Sequence, residues 1–199
     1  MRLEAIDRPA TLLARLVFFV LRRVIGRVPT PYRVVFTRMP RALFAHMMMV
    51  TVLDRRVRLD PDLKVLIESH VATLNGCTFC LDLVQAIALK RKPELRAKLG
   101  RVDAYRTDPA FSARERAALA YVESIARQHH VDDPTFAALR RHFSEDEIVE
   151  ITWVNALEQY FNAINAGLDI GSDGFCALPE PRRQDRDRAP SDPALRQQA

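Results

Sequence analysis

Leu74-Asn75-Gly76-Cys77-Thr78-Phe79-Cys80 is the stretch on which the fold of this chain turns. It lies between two apolar-periodic segments, 63–74 and 81–89. An Asn-Gly pair tolerates a left-handed backbone, so it ends one helix and aims the chain into the next. The two cysteines then fall in the first turn of that second helix. There, free backbone N–H groups and the helix dipole favour a thiolate over a thiol. Two thiols three positions apart at a helix start are also close enough to form a reversible disulfide. The stretch predicts a helical frame built around a dithiol.

Working outward, the flanking patterns are helical. Asp60-Pro61 places an N-cap ahead of a proline at the first helical position. The helix over 61–74 then sets Leu63, Leu66, Ile67, Val71 and Leu74 on or near one face, with Glu68 and His70 on flanking faces. Beyond the dithiol, 81–90 is apolar and ends in Lys90-Arg91-Lys92, cations suited to a helix C-terminus. A short helix over 93–99 is stopped by Gly100. Ser112 with Glu115, and Ser144 with Glu147, are capping boxes that open helices to about 128 and from about 145 to 168. Asp132 starts another helix, ending near His142. Before the dithiol, 10–26 reads as a helix closed by Gly26, and a second runs from about Pro40 to Leu53. No segment alternates with period two, so the body is expected to be all-α.

A chain of 199 residues, 48% hydrophobic and 28% charged, buries a substantial core, and its six glycines argue against a loop-rich β architecture. The net charge of +5 is uneven. Residues 1–60 carry twelve basic side chains against four acidic, and the remainder eighteen against twenty-one. The basicity therefore belongs to the N-terminal third and not to the dithiol region. Its arginines are interleaved with hydrophobes on helices, without a recognition motif, so nucleic-acid binding is not expected. A packed or subunit-covering role is favoured for the first helix over a membrane-surface one. Three cysteines do not make a secreted disulfide framework. Glu4 and Asp7 stand where a signal peptide needs basic residues, so the cytoplasm is the expected location.

The segment 62–88 with its Leu-Asn-Gly-Cys-x-x-Cys resembles the carboxymuconolactone decarboxylase / alkylhydroperoxidase AhpD-like family. Residues 113–123, and 143–150 with 161–170, look like that family's later core helices. The resemblance covers roughly 60–177. It implies an all-helical AhpD-like bundle over 59–177, assembled as a homo-oligomer; the helical patterns before it read as an N-terminal extension over 1–58, and the Pro-, Arg-, Asp- and Gln-rich stretch over 178–199 reads as a disordered tail. It also implies hydroperoxide reduction, with Cys80 as peroxidatic thiolate and Cys77 supplying a proton and then resolving the sulfenic acid. A lipoyl or thioredoxin-like dithiol would restore the reduced pair. No cofactor is implied. Dithiol–disulfide exchange through the same pair is carried beside peroxide reduction, and the alternative to both is a non-redox member that binds a small molecule or serves as an oligomeric scaffold.

Two positions depart from the family's pattern. Its relay glutamate, twelve positions before the first cysteine, is Val65 here, and its relay histidine, four positions after the second, is Val84. Glu68, one turn beyond Val65, and His70 are the substitutes favoured from sequence, followed by Asp82, which also suits the acidic first turn of a helix. Zinc is not expected, because a four-coordinate site needs two further ligands and only Cys176 and scattered histidines remain. Cys176 itself reads as a buried inert thiol, and His129-His130 as a polar loop pair. Asn155, Glu158, Gln159, Asn162 and Asn165 recur at helical spacing on the last helix. They either brace neighbouring helices or line a pocket, with Asn162 the favoured pocket member.

Overall fold

The computed structural model describes residues 1–176, so the expected tail over 178–199 lies outside the described residues. Eight α-helices with short 3-10 and π-helical turns form the described chain, and no strand occurs among the described residues. Helix α1 spans Leu12–Ile25, α2 Pro40–Met48, α3 Pro61–Leu74 and α4 Thr78–Arg91. They are followed by α5 over Arg96–Leu99, α6 over Ala113–Gln128, α7 over Asp133–Arg140 and α8 over Glu145–Gly167. The all-α expectation and most helix boundaries therefore hold.

Local chemistry explains the boundaries. Asp60 caps α3 by accepting from the Leu63 N–H at 2.9 Å. Ser112 and Ser144 each close a reciprocal capping box with the glutamate three residues on. Gly26 ends α1 with φ +88°. Between α3 and α4, Gly76 takes the left-handed turn at φ +66° while Asn75 remains helical, so the glycine alone carries the reversal. The second helix expected over 40–53 is shorter than its apolar pattern suggested. It continues past Met48 as a π-helical turn over Met49–Leu53 and a 3-10 turn over Asp54–Arg56.

Helix α3 is the centre of the packing and touches α4, α6 and α8. Its residues Leu63, Leu66, Ile67 and Val71 join Leu119, Val122, Ile151 and Val154 in the main core. A second cluster belongs to the N-terminal segment, where Val17, Phe18 and Leu21 of α1 meet Phe36 and Leu43. A third cluster joins the two, placing Val34, Ala72, Phe79 and Ile170 around Cys77 and Cys80. The N-terminal segment is fastened at this point. The Arg2 N–H donates to the Leu168 carbonyl at 2.9 Å, and Thr30 donates to the Asp173 carboxylate through its N–H at 2.8 Å and its hydroxyl at 2.6 Å. The dithiol thus lies beneath a lid made from both ends of the described chain.

Candidate active site

Cys77 is the N-cap of α4 and Cys80 its third helical residue. The cap geometry folds the Cys77 side chain back over the first turn, where its sulfur accepts the Cys80 N–H at 3.3 Å. The same fold brings the two sulfurs to 2.6 Å. Both are free thiols, and both are buried. From the facing helix α8, the Asn165 Nδ2 donates to Cys80 Sγ at 3.3 Å and lies 3.6 Å from Cys77 Sγ. Hydrogen bonding from Cys80 draws the Cys77 thiol down to about 6, helped by the Cys80 and Phe79 N–H groups and by Asn165. Donation toward Cys77, together with burial, pushes Cys80 strongly up. At neutral pH the resting site is therefore a Cys77 thiolate holding the Cys80 proton.

The same face of α8 supplies two more polar side chains, one and two turns before Asn165. The Asn162 Nδ2 donates to Glu158 Oε1 at 2.6 Å and is itself held by the Asn75 Nδ2, which donates to Asn162 Oδ1 at 2.9 Å. Glu158 is 4% exposed and lies beside the Cys80 thiol. Burial, then the charge of Glu68, pushes its carboxyl up to about 8. Burial likewise raises Glu68 to about 7, against the pull of Lys64 at 3.6 Å. Glu68 keeps a side-chain exposure of 20%, and its charge reaches Glu158.

The residues singled out from sequence divide. Cys77 and Cys80 meet, and Glu68 approaches them through Glu158. Val65 packs against the main core. His70 is buried on the α6 side of α3, its ring edge-on to Tyr105 and its Nε2 3.7 Å from Glu123, and desolvation lowers it to about 4. Asp82 is a clamp. It accepts from Ser172 Oγ at 2.8 Å and from the Phe175 and Cys176 N–H groups at 2.8 and 2.6 Å. Cys176 is half-buried, with its thiol 3.2 Å from the Asp82 carbonyl. No group of histidine, cysteine and carboxylate side chains among the described residues is arranged to hold a metal ion. Glu158 and Asn165 carry the site's polar chemistry, and sequence reading placed them only in an undivided polar run. Their spacing with Asn162, at i, i+4 and i+7, was the available signal.

Comparison with known proteins agrees with this architecture. A model of the carboxymuconolactone decarboxylase family matches residues 39–124. The uncharacterized protein YnjA of Escherichia coli (strain K12) is 32% identical over 163 residues, which cover 81% of this chain and 88% of YnjA. A protein of unknown function from Agrobacterium tumefaciens, suspected of being the antioxidant-defence protein AhpD, superposes with a TM-score of 0.64 at 25% identity. That likeness covers 69% of this chain and 94% of the other. The debrominase Bmp8 shares the fold at a TM-score of 0.72 and 24% identity, covering 86% of this chain and 91% of its own.

Proposed function

This chain belongs to the carboxymuconolactone decarboxylase family, and we propose that it is an AhpD-like dithiol peroxidase that reduces a small hydroperoxide. The observation that carries the reading is the pair of free, buried thiols in contact at 2.6 Å on a helix N-terminus. A thiol pair that had kept the fold but lost its chemistry would not need a thiolate poised near neutrality, and Cys77 is drawn to about 6.

The geometry supports the following course. The Cys77 thiolate takes the Cys80 proton across their contact, leaving the charge on Cys80. The Cys80 sulfur attacks the terminal oxygen of the hydroperoxide, forming an S–O bond as the O–O bond breaks. The departing alkoxide becomes an alcohol on gaining a proton, and Cys80 is left as a sulfenic acid. The Cys77 sulfur then attacks that sulfur, hydroxide leaves as water, and the Cys77–Cys80 disulfide forms. The dithiol is thereby oxidised by two electrons, which leave on the alcohol and water oxygens and reduce the peroxide. An external dithiol, lipoyl or thioredoxin-like, reduces the disulfide by exchange. We propose further that the protein works as a homo-oligomer in the cytoplasm. Leu12, Leu16, Phe19 and Val24 leave one face of α1 apolar and exposed, as a subunit contact requires. No described helix is long and apolar enough to cross a membrane.

The test is to treat the reduced protein with one equivalent of cumene hydroperoxide and map its cysteines by mass spectrometry. The expected product is the Cys77–Cys80 disulfide, with a dimedone-trapped sulfenic acid on Cys80 in Cys77→Ser. Oxidation no faster than that of a free model thiol, in both proteins, would end the peroxidase reading in favour of a non-redox family member.

A further inference from the structure

Proton bookkeeping leaves the reaction one proton short. The products, an alcohol and a water, carry three protons on oxygen. The hydroperoxide brings one, and the resting pair, a single thiolate and a single thiol, brings one more. The site must supply the third, and it is needed first, when the alkoxide leaves. Asn75, Asn162 and Asn165 are amides and cannot release a proton to it. The proton that Cys77 takes from Cys80 is used when water departs in the second half.

We propose that Glu158 is the catalytic acid that protonates the departing alkoxide, and that Glu68 reloads it from solvent. This rests on the peroxidase reading above. Glu158 sits beside the sulfur that attacks, almost wholly buried, with one carboxyl oxygen fixed by Asn162 at 2.6 Å. The other is left to carry the proton. A buried carboxyl in that position stays protonated at neutral pH, which an acid catalyst requires. A second feature points to a ligand in the same place. Asn165 Oδ1 is buried without a partner among the described residues, while its Nδ2 points at Cys80 Sγ. An unsatisfied acceptor there suits the O–H of a hydroperoxide, whose terminal oxygen it would hold against the sulfur. The assignment also accounts for the replaced relay. With valine at 65 and 84, the acid comes from α8, and the path to solvent runs through Glu68 with Lys64 and Asp54 behind it.

Glu158→Gln tests the proposal, because glutamine copies the protonated carboxyl in shape and can still accept from Asn162. Single-turnover disulfide formation with cumene hydroperoxide should slow about 100-fold, a typical contribution of acid catalysis. Two controls read the same site without that proton. Alkylation by iodoacetamide should be unchanged, and oxidation by peracetic acid, whose acetate leaves without a proton, should be little changed. The wild-type peroxide rate should fall as pH rises through about 8, where Glu158 ionises among Cys77, Cys80 and Glu68, and the variant should lack that limb. Glu68→Gln should slow the steady state more than the single turnover, and an unchanged steady state would remove Glu68 from the proton path. A variant with the wild-type rate on cumene hydroperoxide overturns the proposal. So does one that loses alkylation and peracid oxidation in parallel, because the role would then be to position the thiols. A wild-type protein inert to every peroxide overturns the underlying reading as well.

Discussion

A single amide, Asn165, reaches both sulfurs of the dithiol and helps it hold charge. Its Nδ2 is the closest side-chain nitrogen to Cys80 Sγ and also reaches Cys77. A hydrogen bond to a charged group contributes about 1.5–3 kcal/mol, which amounts to roughly a pH unit or more in an acid constant. Asn165→Ala should therefore raise the apparent thiol pKa by about one unit, read from the pH dependence of iodoacetamide alkylation. An unshifted profile would mean that the helix N–H groups hold the charge alone. Asn165 also shows what the sequence could and could not reveal. Its polar spacing with Glu158 and Asn162 was legible from the chain alone. Their meeting with the dithiol was not, because it depends on how α8 crosses α4 some 80 residues away in sequence. Glu68 and His70, two residues apart, looked equivalent as relay candidates. Packing separates them, turning one toward Glu158 and the other toward Glu123.

At the scale of elements, caps and turn chemistry made the helical frame readable. Asp60, Ser112, Asp132 and Ser144 each cap where the sequence put them. The π-helical turn after α2 had no such marker, and its Met-rich pattern continues unbroken through it. Asp82 is the instructive case, since an acidic residue in a first turn suggests a helix-dipole role. It instead ties α4 to the segment over 172–176 through three hydrogen bonds. Those bonds hold its carboxyl below the ordinary value of 3.8, against the upward effect of burial. A depressed acid stabilises the fold above its unfolded pKa and loses that contribution as pH falls through its folded value. The clamp should thus persist through mildly acidic conditions. Asp82→Ala should cost about 2–4 kcal/mol, measured by denaturant unfolding, and speed hydrogen exchange in 172–176 while α3 stays protected. Unchanged exchange in that segment would show that the N-terminal contacts hold it without Asp82.

Across the whole molecule, a frame of apolar helices buries Glu158, the two thiols, His46 and His70 and half-buries Glu68, and these groups leave pH signatures. Glu158 and Glu68 are raised to about 8 and about 7. A carboxyl raised in the fold gives stability that is whole below its unfolded pKa and disappears as pH climbs through the folded value. Glutamine does not titrate. The Tm of Glu158→Gln relative to wild type should therefore rise between pH 5 and about pH 8 and level off above, and a difference independent of pH would show that Glu158 is not held neutral. His46 and His70, both lowered to about 4, act on the acid side. They are neutral in the fold and charged in the unfolded chain, so they withdraw stability as pH falls below 6.5. Cys77, drawn to about 6, has the opposite sign to the carboxyls and gains stability toward alkaline pH.

If Cys77 and Cys80 act together as one two-electron reductant, a thiol count must show it. The reduced protein carries three cysteines, the third being Cys176. After one equivalent of cumene hydroperoxide, titration of the denatured protein should find one remaining thiol per chain, on Cys176, with restoration to three by a dithiol. Three thiols surviving the peroxide, or an equal loss in Cys80→Ser, would contradict it.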